Sequence, residues 1–130
     1  MRLASKQAVR RLIAWTFAIA LVTAHTIAAP AEDFEATAYS NHGVTASGEP
    51  TRRGTAAADP SVLPLGTRVR VTGAGRYSGE YVVRDTGREV DGHTIDIFVP
   101  DERAAKRFGR RQVKVEVVRW GDGSATSGRR

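Results

Sequence analysis

Residues 94–98 read Thr94-Ile-Asp-Ile-Phe98, and this short stretch decides how the 130-residue chain is interpreted. It alternates apolar and polar side chains, which is the pattern of a half-buried β-strand. Ile95 and Ile97 must point to one face of that strand, which we expect to be the core face, and Asp96 must point to the other. A carboxyl group at the centre of a strand is held rigidly, as a group that performs chemistry has to be.

Five other segments have the alternation or the β-branched composition of short strands. They are Glu35–Tyr39, Thr55–Ala58 (the weakest of the five), Thr67–Val71, Tyr81–Arg84 and Val113–Val118. One segment has a helical pattern instead, with Asp101 placed as its N-cap and Gly109 as its end. Because turn-rich loops separate the strands, the pattern favours a mainly β fold, a small barrel or sandwich, over a parallel α/β sheet.

The apolar faces of these strands predict one shared core. Alternation within each strand selects the residues that face it. They are Val69, Val71, Val83, Ile95, Ile97, Val113, Val115 and Val117. Phe108, on the predicted helix, is expected to cover one end of this core.

The basic character of the chain is concentrated at its N-terminus. The formal net charge is +6, but Arg2, Lys6, Arg10 and Arg11 all precede an apolar run at 12–24. Without those four residues the chain has 16 basic and 14 acidic residues, which is ordinary for a small soluble domain. The charge therefore indicates no nucleic-acid partner. A positive start, a 13-residue apolar stretch and small residues after it are the three parts of a secretory signal.

We therefore expect residues 1–31 to be a signal peptide, cleaved at an A-x-A site after Ala31, with a weaker competing site at 22–24. As a helix, the apolar run spans about 20 Å, less than the ~30 Å hydrocarbon core of a bilayer, so an uncleaved anchor is the less favoured alternative. The exported protein, in the periplasm, the cell envelope or the medium, would contain one domain at 32–120 and a disordered Gly/Ser tail at 121–130. Any membrane attachment would pass through the leader or a partner.

The sequence lacks the residues that most familiar kinds of catalysis require. The chain contains no Cys, which excludes disulfides, thiol catalysis and Cys-ligated zinc. His42 and His93 have no second His at ligand spacing, and neither a phosphate-binding glycine loop nor a G-x-S-x-G motif occurs. We expect no metal and no cofactor, and the carboxylates remain as candidates.

Two further aspartates accompany Asp96. Asp85 ends a predicted strand and is followed by Thr86 and Gly87, where the backbone can approach a ligand closely. Asp59 precedes a proline and is therefore extended. Each aspartate alone is typical of a turn or a cap, but in a shared cleft repulsion and burial would raise the pKa of one of them. A carboxylic acid that keeps its proton near neutral pH is what glycosidic-bond cleavage requires.

A series of short motifs links these aspartates along the exported part of the chain. The motifs are T-A-Y at 37–39, T-A-S-G at 45–48, A-A-D-P at 57–60, L-P-L-G-T at 63–67, D-T-G at 85–87, a glycine at 92 and I-D-I-F at 95–98. With F-G-R-R at 108–111 and the final V-x-V-x-V strand, they cover about residues 35 to 119. This order resembles the 3D domain, a family named for three aspartates. The resemblance implies a six-stranded double-psi β-barrel, related to the catalytic barrel of the murein lytic transglycosylase A family.

The resemblance also implies roles for individual residues. Asp96 would be the catalytic acid, with Asp85 and Asp59 as supporting catalytic groups. The substrate would be the glycan strands of peptidoglycan, cut at the β-1,4 bond between N-acetylmuramic acid and N-acetylglucosamine. Six residues are implied to bind this substrate: Thr37, Tyr39, Thr45, Thr86, Gly87 and Gly92.

Two features depart from the family pattern. Asp91 stands where a Lys is common and Arg88 where a Gly is common. Without that Lys, the contact to an anionic sugar substituent that the resemblance implies is not expected. We also expect no second domain like the one that forms the other wall of the transglycosylase groove. We therefore expect an open groove, or a partner protein that completes it.

Two other functions are compatible with the sequence. D-T-G is also the triplet of aspartic proteases, but Arg84 and Arg88 flank it where those enzymes have apolar and small residues. The stronger alternative is a non-catalytic module that binds peptidoglycan on the same barrel. Release of 1,6-anhydro ends from purified peptidoglycan distinguishes the enzyme from the module.

Overall fold

The computed structural model describes residues 29–124 of the chain. This part contains six strands and one α-helix. The strands are β1 (Glu32–Tyr39), β2 (Thr55–Ala58), β3 (Arg68–Thr72), β4 (Gly79–Asp85), β5 (Thr94–Phe98) and β6 (Arg111–Arg119). The helix α1 (Glu102–Phe108) connects β5 to β6, and a single 3-10 turn (Gly75–Tyr77) lies between β3 and β4. The strands close into a barrel in the order β1-β5-β2-β4-β3-β6, which confirms the predicted fold class.

The barrel mixes parallel and antiparallel pairing. β1 runs parallel to β5 and β2 runs parallel to β4, while the other four neighbouring pairs are antiparallel. Parallel partners require a long crossover between them, and the connection from β1 to β5 contains β2, β3 and β4. β5 therefore lies between β1 and β2, and its central residue, Asp96, is opposite Thr37 on one side and Ala57 on the other.

The core fills the inside of the barrel. Seven of the eight strand residues predicted for it are 3% exposed or less, while Val117 is only partly buried and packs against the cluster. Phe108 is buried at one end, where its ring meets that of Tyr77 at 5.5 Å between centroids. The prediction omitted several small or N-terminal residues that complete the core: Phe34, Ala36, Ala56, Ala58 and Leu63.

The helix begins and ends where the sequence predicts. Asp101 has an extended backbone, and its Oδ1 accepts the amide hydrogen of Ala104 at 2.7 Å, which satisfies one of the free donors of the first turn. Gly109 follows the last helical residue with a φ of +63°, a conformation that only glycine adopts without strain. Ala104, Ala105 and Phe108 form the buried face of the helix.

Two predicted segments, the signal peptide and the C-terminal tail, fall partly outside the described residues. The signal peptide prediction concerns residues 1–31, of which 1–28 are outside, and residues 125–130 of the predicted tail are also outside. At the start of that tail, the amide of Gly121 donates to Thr67 Oγ1 and the amide of Gly123 to the carbonyl of Leu65, each at 3.0 Å. Between residues 29 and 124, no helix has the length and apolar character to cross a membrane.

Candidate functional site

Asp96 and Asp85 lie in one row across the barrel wall. In the strand register Asp96 is opposite Thr37 of β1 on one side and Ala57 of β2 on the other, and Ala57 is in turn opposite Asp85 of β4. Because neighbouring strands are about 4.8 Å apart, the backbones of the two aspartates are about 10 Å apart. The small side chain of Ala57 stands between them. A register shift in β2 next to Ala57 brings Asp85 into this row.

The row lies on the outer face of the barrel. Ile95 and Ile97, the neighbours of Asp96 in β5, are completely buried in the core, so the Asp96 side chain points outwards. Phe98 also points outwards but is only 4% exposed, since the segment after β1 covers this part of the wall. Its ring contacts those of Tyr39 and His42 at centroid distances of 5.4 Å and 5.2 Å. The aspartate row thus borders a small covered patch outside the main core.

The carboxyl group of Asp96 is half-buried and makes one defined hydrogen bond. The hydroxyl of Thr37 donates to its Oδ1 at 2.9 Å. Burial raises the pKa of Asp96 above its ordinary value and the charge of Asp85 raises it further, while the bond from Thr37 acts in the opposite direction. The net effect keeps the proton on Asp96 to a higher pH than on a solvated aspartate, as a general acid requires.

Asp85 fastens a loop beside this site. Its Oδ1 accepts the amide hydrogens of Ala46, at 3.0 Å, and of Thr86, at 2.9 Å. The amide of Ser47 donates to the carbonyl of Arg84 at 2.9 Å, so residues 44–50 are tied to the end of β4 at two points. Asp85 therefore has a structural role in placing the loop as well as an electrostatic effect on Asp96.

The loop at 44–50 has its own buried polar centre. Thr45 and Ser47 are 5% and 2% exposed, and their hydroxyls share a hydrogen bond of 2.8 Å. The Thr45 hydroxyl also donates to the carbonyl of Glu49 at 2.8 Å. The structure therefore places Thr45, one of the predicted substrate-binding residues, inside the loop with its hydroxyl already engaged. A buried pair of hydroxyls in a loop has no periodic signature in the sequence.

Asp59 joins two loops at one end of the barrel. Its Oδ1 accepts hydrogen bonds from the amide and the hydroxyl of Ser61, and its Oδ2 accepts one from the amide of Gly92 at 2.8 Å. These bonds, with the Ser61 hydroxyl first, lower the pKa of Asp59. Gly92, predicted to bind substrate, has a φ of +61° and presents its amide to Asp59. Asp59 therefore acts as a brace: it links the segment that follows β2 to the segment that precedes β5.

Thr86 and Gly87 form an exposed turn after β4. A Cβ added to Gly87 would come 2.8 Å from Cγ2 of Val90, which is closer than real Cβ atoms approach, so a larger residue here would force the Val90 side chain to move. The carbonyl of Gly87 accepts the amide hydrogen of Val90 at 3.1 Å. The exposed side chain of Thr86 lies one residue beyond Asp85, at the edge of the aspartate row.

Tyr39 has an unusual hydroxyl next to this row. It lies two residues beyond Thr37 in β1 and so shares its face. The hydroxyl oxygen is inaccessible to solvent and has no hydrogen-bond partner among the described residues. Burial, and then the charges of Asp85 and Asp96, raise the pKa of Tyr39, so that it remains a protonated donor. The sequence motif identifies Tyr39, but only the structure reveals that its hydroxyl is unpaired.

Within residues 29–124, no three His, Cys, Asp or Glu side chains converge in a way that could hold a metal ion. Asp59 is engaged by Ser61 and Gly92, and Asp85 by two amides. Asp85 and Asp96 each have one carboxyl oxygen, Oδ2, without a hydrogen bond in the described structure, whereas both oxygens of Asp59 are engaged. Burial raises the pKa of Asp96. The arrangement supports proton transfer by this residue, with its neighbours setting its environment.

Comparison with known proteins gives a consistent result. The 3D domain family matches residues 54–119. Two similar proteins come from Bacillus subtilis (strain 168). "Putative cell wall shaping protein YabE" is 40% identical over 62 residues, which are 48% of this chain and 14% of that protein. "Cell wall-binding protein YocH" is 38% identical over 92 residues, 64% of this chain and 31% of that protein. The chain thus matches less than a third of the length of either relative.

Proposed function

The chain belongs to the 3D domain family, and on that basis we propose that it acts on the cell wall as an enzyme that cleaves the glycan strands of peptidoglycan. The names of the two Bacillus relatives, one cell wall shaping and one cell wall-binding, support a role at the wall. The bond cut is the β-1,4 linkage between N-acetylmuramic acid and N-acetylglucosamine. This function places the working protein outside the cytoplasm, as an exported protein.

The environment of Asp96 carries this proposal. Its carboxyl is half-buried on the outer face of β5, its pKa is raised by burial and by Asp85, and Thr37 holds it in one orientation. Strand β5 is anchored on both sides by β1 and β2, so the group is held by a rigid element. These are the properties of a general acid, and the outer face leaves room for a long polymer to lie across it.

One carboxyl group suffices for the proposed reaction. Protonated Asp96 donates its proton to the glycosidic oxygen as the bond to C1 of the muramyl residue breaks, and the N-acetylglucosamine end leaves as an alcohol. The Asp96 carboxylate then accepts the proton of the muramyl 6-hydroxyl, whose oxygen bonds to C1 and closes a 1,6-anhydro ring. No water is consumed and Asp96 regains its proton, so a second carboxyl at fixed separation is not required.

The other residues of the row support Asp96. Asp85 raises the pKa of Asp96 by its charge and fastens the loop at 44–50. Thr37 limits that rise and orients the carboxyl. Tyr39 provides a protonated hydroxyl that has no partner in the described part of the chain and is available to a glycan oxygen when the covering segment shifts.

Mass spectrometry of digested peptidoglycan tests this function. The wild-type protein is expected to release fragments with 1,6-anhydro ends, and Asp96→Asn is expected to release none while it still sediments with the polymer. Asp33→Asn is the matched control, because Asp33 lies on the exposed start of β1 and pairs with Lys114 away from the row. Wild-type turnover by Asp96→Asn would contradict the assignment of Asp96.

A peptidoglycan-binding module without activity is the second candidate. The relative named as cell wall-binding favours it, since it matches 64% of this chain. The same experiment separates the two functions. A wild-type protein that sediments with peptidoglycan and yields no anhydro ends is a binding module, and the aspartate row would then serve recognition.

A further inference from the structure

A polar cavity lies at the end of the barrel that carries α1. It has a volume of about 370 Å³ and is lined by seven residues: Arg53, Arg76, Tyr77, Val99, Pro100, Asp101 and Ala104. Val99 and Ala104 are buried, so one wall is apolar, while the two arginines are exposed at the other. None of the three predicted catalytic aspartates lines this cavity, which is therefore separate from the aspartate row. We call it the Arg53–Arg76 cavity.

The two arginines form no salt bridge in the described structure. Neither guanidinium lies within 4.0 Å of an acidic side chain among residues 29–124. Arg76 instead donates to the hydroxyl of Tyr77 at 2.8 Å, with its guanidinium carbon 5.0 Å from the centre of that ring. The contact with Tyr77 orients the planar guanidinium and leaves its other N–H donors free.

The lining also contains one carboxylate, Asp101, whose charge acts on the Arg76 guanidinium. Asp101 uses Oδ1 to cap α1 through the amide of Ala104. A third guanidinium stands behind the cavity, because Arg111 lies 6.0 Å from the centre of the Tyr77 ring. The surroundings of Tyr77 therefore carry three guanidinium groups and one carboxylate, which gives the site a positive charge.

The wider charge distribution has the same sign. Residues 29–124 contain 14 basic and 14 acidic side chains, so the described domain is neutral as a whole. The segment 101–111, however, has five basic and two acidic residues, and Arg53 and Arg76 add to them. A neutral domain with a basic end attracts anions to that end, and a concave site there concentrates the effect.

We propose that the Arg53–Arg76 cavity binds an oxyanion, a carboxylate or a phosphate, carried on a small apolar group. The guanidinium fork matches both anions with paired N–H donors. The apolar wall formed by Val99, Pro100 and Ala104 accommodates the group that bears the anion. This site is independent of cleavage at Asp96, and its test does not require the protein to be an enzyme.

Titration calorimetry with two small probes tests the cavity on the full chain. N-acetylalanine presents a carboxylate on a small, mainly apolar group, and ethyl phosphate presents a phosphate on one. We expect saturable binding of at least one probe, and the probe that binds identifies the source of the anion. Since a hydrogen bond to a charged group is worth about 1.5–3 kcal/mol, Arg76→Gln and Arg53→Gln should each weaken that binding at least about tenfold.

Arg103→Gln is the matched control for charge. Arg103 belongs to the same basic end, is exposed on α1 and does not line the cavity. It should leave the affinity within about twofold of the wild type. Because all three arginines are exposed, the amide spectra of the variants should retain the wild-type dispersion. Equal weakening by Arg103→Gln, or no saturable binding of either probe, would overturn the proposal.

Discussion

Replacing Tyr39 by phenylalanine isolates the unpaired hydroxyl beside Asp96. The oxygen is inaccessible to solvent and has no partner in the described structure, and an unsatisfied buried polar group costs about 1–3 kcal/mol. Phenylalanine keeps the ring against Phe98, 5.4 Å away. Because the Tyr39 side chain is partly exposed, we take the lower end and expect the free energy of unfolding to rise by about 1 kcal/mol. For a domain of this size the melting temperature should rise by roughly 4–8 °C.

Tyr81 offers a control with the opposite sign in the same chain. Its half-buried hydroxyl donates to the carbonyl of Tyr77 at 2.6 Å. Tyr81→Phe removes that bond, so the free energy of unfolding should fall by about 0.5–1.5 kcal/mol. Urea unfolding at neutral pH, followed by circular dichroism, measures both variants. The two identical chemical changes should therefore move stability in opposite directions.

The outcome that refutes this reasoning is equally definite. If Tyr39→Phe unfolds at the same or a lower urea concentration than the wild type, the hydroxyl has a partner in solution and is not a cost to folding. Peptidoglycan sedimentation with the same variant gives a second result. A more stable protein that binds glycan less tightly assigns the hydroxyl to the ligand, and unchanged binding removes Tyr39 from recognition.

Four further outcomes follow from the described contacts. In thermal unfolding, Ile97→Ala should lower the free energy of unfolding by about 2–5 kcal/mol because the side chain is buried. The control Val118→Ala, at a position that is 43% exposed, should change it by less than about 0.5 kcal/mol. Burial raises the pKa of Asp96 in the folded protein above the value of about 3.9 that the carboxyl has in the unfolded chain. As the pH rises from that value through the folded pKa, the wild type should therefore lose stability relative to Asp96→Asn. Urea titrations at several pH values measure this difference. Thr37→Val removes the donor to Asp96 and should move the carboxyl titration seen by NMR to higher pH. Asp101→Ala removes the helix cap and should cost about 0.5–2 kcal/mol in the same unfolding assay.

Much of the fold can be predicted from local patterns. The alternation around Asp96 predicts both the bounds of β5 and the outward direction of the carboxyl, and the helix between Asp101 and Gly109 follows from capping rules. Such patterns report on the faces of a strand and the ends of a helix. They carry no information on partners, so the parallel pairing of β1 with β5 is known only from the structure.

The details of the site depend on distances that local patterns do not contain. Asp59 and Gly92 are 33 residues apart, and their hydrogen bond makes Asp59 a brace. Ala46 and Asp85 are 39 residues apart, and their contact places the loop at 44–50 beside the row. The position of Ala57 between two aspartates results from a register shift. Each of these relations is set by tertiary packing, so the sequence predicts the residue types but not their partners.

The position of β1 determines when this molecule can fold during its synthesis. Its neighbours in the barrel are β5 and β6, which begin 62 and 79 residues after Glu32. Until β5 has been made, β1 has neither neighbour, and β3 lacks β6 until the last strand has been made. Contacts between such distant segments form late and slowly, because the intervening chain must be ordered before they are made. The barrel therefore cannot close until β6, which pairs with both β1 and β3, has been made.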